Sequence, residues 1–335
     1  MHAIPVISNR TLHGLPELIR GELGERVLSR AVRMSGVNLE SIEAQNAFIP
    51  HAAVVSLVET AARAAGEVNF GLMMAPQMNV NNYGCWGRYV MGADTLGEAI
   101  GRCIDALDYH SIGDTMALAV VGEEARYSYG FALAGVPGYD HLASVAAGVL
   151  MSLCTNYIST GWRPLRIELD IARPARAAPF EDLFRCPVVF NAPTMTVVFD
   201  KRHLGARRAE RGSHPITTLA DLARDRHGIA PIGLPEVMAE QIRLQVLAGA
   251  TSIDATARSM DLSVRTLQRE LNRQGTDFRT MVNAARARRA EELLRGSTAS
   301  ITAISTDLGY SSPANFARAF RNATGLGPTE FRAVG

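Results

Sequence analysis

The chain has 335 residues; 47% are hydrophobic, 20% are charged, and 34 basic side chains nearly balance 33 acidic ones. This composition excludes a disordered chain, and the length indicates two or three domains. No apolar run approaches the roughly 18 residues that cross a bilayer, and residues 1–20 lack the pattern of a secretory signal. Four cysteines without a CxxC pair indicate neither a disulfide framework nor a zinc site. We therefore expect a cytoplasmic protein without a metal or a cofactor.

The spacing of apolar residues changes along the first 200 positions. Helical spacing predicts helices within 15–66, over 96–107 and over the buried stretch 139–159. Alternating apolar residues predict strands over 115–121, 125–133, 165–171, 188–190 and 195–199. Antiparallel hairpins mixed with helices are typical of an α+β fold, so we expect an α+β regulatory domain with an antiparallel sheet over residues 15–203.

The second part of the chain differs in composition. Residues 204–235 are polar, charged and interrupted by prolines, which predicts an interdomain linker with one short helix near 218–226. From residue 236 to residue 335 the pattern is helical, so we expect an all-α domain. Residues 241–335 carry thirteen Arg, no Lys and eight acidic residues, whereas residues 1–240 have a net charge of −4. This split suggests a polyanionic partner for the C-terminal domain, although a solvated Arg-rich surface would give the same balance.

The C-terminal domain contains a diverged internal duplication. Four positions of the first copy recur 49 or 50 residues later, namely Leu267 as Phe316, Arg269 as Arg318, Leu271 as Phe320 and Gly275 as Gly325. Each copy predicts a short helix, a tight turn at Asp261 or Gly309, and a second helix capped by Ser263 or Ser312. Two helices joined steeply by a short turn form a helix-turn-helix unit.

The outward face of each second helix carries side chains suited to DNA. The candidate DNA-binding residues are Arg265, Thr266, Gln268, Arg269, Ala314, Asn315, Arg318 and Arg321. Arg and Gln make paired hydrogen bonds to guanine and adenine edges in the major groove. A solvated helix face is the alternative for a single copy, but two copies in register favour double-stranded DNA. A connecting helix over 276–294, about 28 Å long, would hold the two copies about one DNA turn apart.

Residues 301–310, 311–321 and 325–332 resemble the signature of the AraC/XylS transcription regulators. The resemblance implies two helix-turn-helix units joined by a linker helix, and activation of promoters by contact with RNA polymerase. The positions that contact bases in the family fall here on Arg265, Gln268, Arg269, Ala314, Asn315 and Arg318. The chain departs from the family at Asp261, where glycine is common.

The N-terminal domain resembles, through residues 87–91, 95–99, 184–188 and 199–200, the α+β effector domain of one AraC branch. That branch includes regulators of ornithine and amine catabolism and mycobacterial virulence regulators, and its effector domain is not a cupin. The resemblance implies a small organic effector. A homodimer through this domain is a further expectation.

The aromatic stretch at 83–89 is the candidate wall of an effector pocket. We expect effector contacts from Tyr83, Trp86, Arg88, Tyr89, Tyr109 and His110. Trp, Tyr and Arg together suit an aromatic, amine or carboxylate ligand. The alternative is that Trp86 and Tyr89 belong to the core. Tyr109 and His110, beside Asp105 and Asp108, agree better with a helix end near the ligand or a surface group than with a catalytic site.

Other functions remain open at this stage. An effector-responsive activator agrees best with the pattern, and a repressor or a constitutive DNA binder is the nearest alternative. An enzyme fused to a DNA-binding domain would need a catalytic cluster, for example the zinc-held cysteines of a repair methyltransferase, and none is evident. A redox sensor through Cys85 or Cys103 would require a thiol of lowered pKa.

Overall fold

The computed structural model describes residues 4–39, 46–66, 69–159, 161–208, 216–225, 231 and 233–334. The strands in these ranges are β1 (Val6–Ser8), β2 (Phe48–Pro50), β3 (Ser111–Ile112), β4 (Thr115–Val121), β5 (Glu124–Gly130), β6 (Arg166–Glu168), β7 (Val188–Val189) and β8 (Met195–Asp200). The helices up to the linker are α1 (Leu15–Leu23), α2 (Glu25–Ser35), α3 (His51–Ala65), α4 (Phe70–Met74), α5 (Gly84–Met91), α6 (Leu96–Asp105), α7 (Tyr139–Tyr157), α8 (Ala178–Phe184) and α9 (Leu219–Asp225). The C-terminal helices are α10 (Leu234–Leu247), α11 (Ile253–Ser259), α12 (Val264–Arg273), α13 (Phe278–Gly296), α14 (Ile301–Asp307), α15 (Pro313–Thr324) and α16 (Pro328–Val334).

The N-terminal part is mixed α+β and the C-terminal part is helical, as predicted. The larger sheet of the N-terminal part has the order β4-β5-β8-β6-β7, and every pair is antiparallel except β6–β7. The five strands predicted from alternation all occur in this sheet, some of them shortened. The β4–β5 turn contains Gly122 at φ +61°, a conformation that glycine adopts without a steric penalty.

A smaller sheet with the order β2-β1-β3 was not predicted. The spacing over 15–66 predicted helices throughout, yet β2 lies inside that range, and β1 precedes the predicted domain start at residue 15. These strands have three residues or fewer, and all three residues of β1 and of β2 are buried. Alternation cannot be recognised in so short a strand that is buried on both faces.

A buried polar cluster joins the two sheets around Asp114. The carboxylate of Asp114 accepts hydrogen bonds from Ser111 on β3, from Tyr129 on β5 and from the Ala132 N–H at 2.8 Å. The Nε2 atom of His51, at the start of α3, lies 3.0 Å from the same carboxylate. Burial alone would raise the pKa of Asp114, but the hydrogen bonds from His51, Ser111 and Tyr129 outweigh it and hold the pKa below its usual value.

Helix α7 crosses the centre of the N-terminal core, in agreement with the prediction of a buried helix over 139–159. A Cβ on Gly148 would come within 2.6 Å of the Ala75 carbonyl oxygen, so only glycine permits this close approach. The predicted linker helix occurs as α9, where Leu222 packs into the same N-terminal core.

Candidate DNA interface and effector cavity

The first helix-turn-helix unit consists of α11 and α12. Asp261 adopts the predicted left-handed conformation at φ +54°, and Ser263 caps α12 by accepting a hydrogen bond from the Thr266 N–H. The apolar face of α12 is buried through Leu267 and Leu271. Local sequence thus fixes this turn, because Asp tolerates positive φ and Ser satisfies the free helix N–H groups.

The second unit, α14 and α15, repeats this geometry. Gly309 lies at φ +70°, and Ser312 caps α15 by accepting a hydrogen bond from the Asn315 N–H. Phe316 and Phe320 are buried, and the Phe320 ring packs edge-to-face on Phe331 of α16. The turn and cap predictions are confirmed in both copies.

The outward side chains of α12 and α15 are available to a partner. Six of the eight candidate DNA-binding residues are exposed, namely Arg265, Gln268, Arg269, Ala314, Arg318 and Arg321. Thr266 and Asn315 are half-buried. The Thr266 hydroxyl lies 2.9 Å from the capping Ser263 hydroxyl, and the Asn315 side-chain oxygen accepts a hydrogen bond from Arg318. Asn315 therefore orients the Arg318 guanidinium before any DNA is bound.

The predicted connecting helix over 276–294 occurs as α13, shifted by two residues because Asp277 caps its start. Its nineteen residues correspond to about 28 Å at 1.5 Å per residue. Val282, Ala285, Ala290 and Leu294 on α13 pack with Ile242 and Val246 of α10 and with the buried phenylalanines of α15.

The two reading units are supported differently. The second unit packs on α10 and α13, within the C-terminal domain. The first unit shares an apolar cluster with the small N-terminal sheet, and the buried members of this cluster are Val6, Phe48, Val237, Met238, Ala257, Met260, Leu267 and Leu271. The Gln241 side-chain amide also donates a buried hydrogen bond to the Phe48 carbonyl at 3.0 Å. Gly36 at the end of α2 comes so close to α11 that a Cβ there would lie 2.4 Å from the Ala255 oxygen.

A cavity of about 70 Å³ lies in the N-terminal domain between α7, β5 and the small sheet. Helix α7 contributes one helical stripe, consisting of Leu142, Val145, Ala146, Val149, Leu150 and Leu153. Tyr127, Tyr129 and Phe131 form the opposite wall because alternate residues of a strand share one face. On this volume scale one water occupies about 10–15 Å³, so the cavity matches a small organic molecule.

Three of the six predicted effector residues line this cavity: Tyr83, Trp86 and His110. The other three lie outside the lining. Arg88 is exposed, Arg102 packs over the Tyr89 ring at 5.1 Å, and Tyr109 packs against the edge of the core. For Arg88, helix α5 causes this separation, because it buries Trp86 while Arg88 lies on its outer side.

The imidazole of His110 lies between two aromatic rings, 4.6 Å from the Tyr83 centroid and 4.8 Å from that of Trp86, with both pairs stacked. The Trp86 indole N–H donates to the Ala106 carbonyl at 2.8 Å, which fixes that ring. Burial lowers the pKa of His110 to about 4, so the ring is neutral at physiological pH.

Sequence reasoning missed most of the lining. The α7 stripe follows the spacing i, i+3, i+4, i+7 from Leu142, and the aromatic residues at 127, 129 and 131 alternate with polar ones. Both signals are visible in the sequence, but each equally describes a surface that packs into a core. Only the space between the two surfaces distinguishes a cavity wall from a core, and that space depends on the tertiary structure.

The geometry does not favour the redox and metal alternatives. The four cysteines are buried and free, and burial raises the pKa of Cys103 to about 12 and also raises that of Cys85. A thiol sensor needs the opposite shift. Within the described ranges, no three His, Cys, Asp or Glu side chains are grouped so that they could hold a metal ion. None of the described helices is long and apolar enough to cross a membrane.

Comparison with known proteins agrees with this architecture. Residues 27–207 match the model of the arabinose-binding domain of AraC transcription regulators, and residues 256–333 match a helix-turn-helix domain model. The chain is 24% identical over 282 residues to the ornithine utilization regulator of Pseudomonas aeruginosa, covering 82% of each chain. It is 24% identical over 304 residues to the regulator VirS of Mycobacterium tuberculosis, covering 87% of this chain and 86% of that one. The crystal structure of the regulator CdpR from Pseudomonas aeruginosa aligns with a TM-score of 0.41 and 20% identity, over 92% of this chain and 97% of that chain.

The family models together span both the regulatory part and the reading units, and the relatives that match over most of their length are transcription regulators rather than enzymes. The chain belongs to the AraC family of DNA-binding transcription regulators.

Proposed function

We propose that this regulator responds to a small organic effector, and that ligand in the N-terminal cavity changes the affinity of the C-terminal domain for promoter DNA. The observation that supports coupling is the alternation of strand β1. Ile7 lines the cavity, whereas the adjacent Val6 packs in the cluster that contains Leu267 and Leu271 of the first reading unit. The small sheet is therefore one wall of the cavity and also the support of α12.

The contacts of β3 support the same proposal. His110 lines the cavity directly before β3, its carbonyl oxygen accepts the Ser8 N–H at 2.7 Å, and Ile112 packs against the cluster of the first reading unit. A ligand that displaces the His110 ring would shift both β3 and β1. Because no described residue of α14 or α15 belongs to this cluster, we expect the effector to act mainly on the half-site read by α12.

A cavity-filling variant tests the coupling without knowledge of the ligand. Ala146 lines the cavity, so Ala146→Leu imitates partial occupancy, and Ala64→Leu on the exposed surface of α3 is the matched control. DNA fragments selected by the wild-type chain from its genome serve as probes for fluorescence anisotropy. We expect Ala146→Leu to change promoter affinity by about fivefold or more, within the usual range of allosteric coupling, and Ala64→Leu to leave it unchanged.

The same experiment in a Val6→Ala background tests the route. Removing the Val6 side chain from the shared cluster should reduce the effect of Ala146→Leu while the chain remains folded, as judged by its thermal transition. If Ala146→Leu binds every selected promoter like the wild type, the cavity does not regulate DNA binding.

We also propose a homodimer through β4. This seven-residue strand is at the edge of the larger sheet and has no charged side chain, and Val120 and Val121 are 52% and 62% exposed. An uncharged edge without proline favours pairing, and antiparallel pairing with a second copy is self-complementary about a two-fold axis. Light scattering on the full chain should give the mass of a dimer for the wild type and of a monomer for Val120→Lys. Ile216→Lys, at a 92% exposed position, is the control that should remain dimeric. A monomeric wild type would refute this interface.

Activation by contact with RNA polymerase is the direction of control that we propose, with repression or constitutive binding as the alternative. The family resemblance supports activation. Transcription from a selected promoter with purified polymerase should rise when the protein is added; a fall would identify a repressor.

A further inference from the structure

Among the described residues that line the cavity, none carries a group that would be charged at neutral pH. Its lining consists of Ile7, Thr11, Val54, Val80, the aromatic and helical residues described above, Cys103 and Met116. The thiol of Cys103 and the His110 ring are both uncharged near neutrality, because burial raises the first pKa and lowers the second. The exposed guanidinium of Arg88, which might have paired with a carboxylate ligand, lies outside this lining.

The tyrosine hydroxyls of the lining are already engaged within the protein. The Tyr83 hydroxyl pairs with Thr11, the Tyr127 hydroxyl donates to the Met116 sulfur at 3.6 Å, and the Tyr129 hydroxyl donates to Asp114. Asp114 is the carboxylate nearest to this wall, and its two oxygens are occupied by His51, Ser111, Tyr129 and the Ala132 N–H. It therefore has no free oxygen to accept a hydrogen bond from a cationic ligand.

One polar atom of a lining residue lacks a partner. Among the described residues, Nδ1 of His110 is buried and makes no hydrogen bond, although the ring itself is held between Tyr83 and Trp86. A ligand that moves this ring slightly can satisfy Nδ1 with a single hydroxyl or carbonyl group. A charged ligand would lose its hydration without gaining an ion pair, which weakens its binding relative to a neutral ligand.

We propose that the cavity selects an uncharged, largely apolar organic molecule with one hydrogen-bonding group, and rejects zwitterionic amino acids, ammonium compounds and carboxylates of the same size. This ligand class rests on the proposed role of the cavity as the effector site. Apolar pockets with few polar groups obtain affinity from burial and orientation from the single polar contact.

Two series of probes, each with a neutral, a cationic and an anionic member of similar size, test this proposal on the full chain. The aliphatic series is 1-hexanol, hexylamine and hexanoate, and the aromatic series is 4-methylphenol, tyramine and 4-hydroxybenzoate; ornithine represents the zwitterions. Both tryptophans, Trp86 and Trp162, lie in the N-terminal domain. Tryptophan fluorescence, excited at the long-wavelength edge of the indole absorption, therefore reports on that domain alone. Thermal stability gives a second readout, because a ligand that binds the folded state raises the transition temperature.

We expect 1-hexanol or 4-methylphenol to change the emission saturably and to raise the transition temperature. Their charged analogues and ornithine should bind about tenfold more weakly or worse, which corresponds to about 1.4 kcal/mol. Ala146→Leu should weaken the binding of the neutral probes, and Ala64→Leu should not. If a charged analogue binds as tightly as the neutral one, if no neutral probe binds at millimolar concentration, or if Ala146→Leu binds the neutral probes like the wild type, the ligand class is wrong. None of these outcomes involves DNA, so the regulatory proposal is judged separately by the promoter affinity of Ala146→Leu.

Discussion

Replacing Asp114 by asparagine is expected to lower the free energy of unfolding by about 3–5 kcal/mol, the cost of removing one partner from a buried charged network. The carboxylate is fully buried and holds together α3, β3 and β5 through His51, Ser111 and Tyr129. An amide at this position replaces one accepting oxygen by a donor, which then faces other donors. Asp105→Asn, at an exposed aspartate near the end of α6, is the control and should change stability little.

The same substitution should alter the response to acid. Because the pKa of Asp114 is lowered in the folded protein, its contribution to stability is present above the unfolded value of 3.8 and is lost as the pH falls through the lower folded value. The difference in the free energy of unfolding between the wild type and Asp114→Asn, measured with urea, should therefore be smaller at about pH 3 than near neutral pH. If this difference is small at neutral pH, or equally large in acid, Asp114 is not a buried carboxylate that is ionised in the folded protein.

Replacing Arg269 or Arg318 by alanine is expected to cost about 1–3 kcal/mol of promoter binding, each at one base position. Both guanidinium groups are exposed on the outward faces of α12 and α15, and Arg318 is oriented by the Asn315 amide. The two variants should lose footprints in different half-sites, about 34 Å apart along the duplex. Specificity should relax at the base that each arginine contacts.

Arg273→Ala is the matched control for these substitutions. Arg273 is on the same helix as Arg269 and is similarly exposed, with side-chain exposures of 73% and 68%. Its guanidinium lies 2.9 Å from the Glu270 carboxylate, whereas that of Arg269 lies 3.8 Å from it. We expect Arg273 to contact only a phosphate, which carries no sequence information. Its loss should therefore lower the affinity for all DNA sequences to the same small extent. If Arg269→Ala and Arg318→Ala lose protection of the same bases, the two units do not read successive grooves.

The sequence by itself determined the reading units in detail. Their turns and caps depend on residues within a few positions of each other: Asp261 or Gly309 at positive φ, and Ser263 or Ser312 at the helix start. The apolar spacing of α12 and α15 likewise fixes which side chains face outward. These features are local, so the amino-acid sequence of each segment is sufficient to predict them. The same holds for the long strands of the larger sheet, whose alternation is set by one half-buried face.

Only the tertiary structure decided the arrangement of the regulatory part. Strands β1, β2 and β3 come from distant parts of the chain and are too short and too buried to show a period, so their sheet exists only through long-range pairing. The cavity is likewise a space between surfaces that look like ordinary core faces in the sequence. It brings Trp86 and His110 together and leaves Arg88 outside, because the rotation of α5 depends on what it packs against. The link from Ile7 to Val6 and on to α12 follows from the same packing, in which one strand separates two clusters that are far apart along the chain.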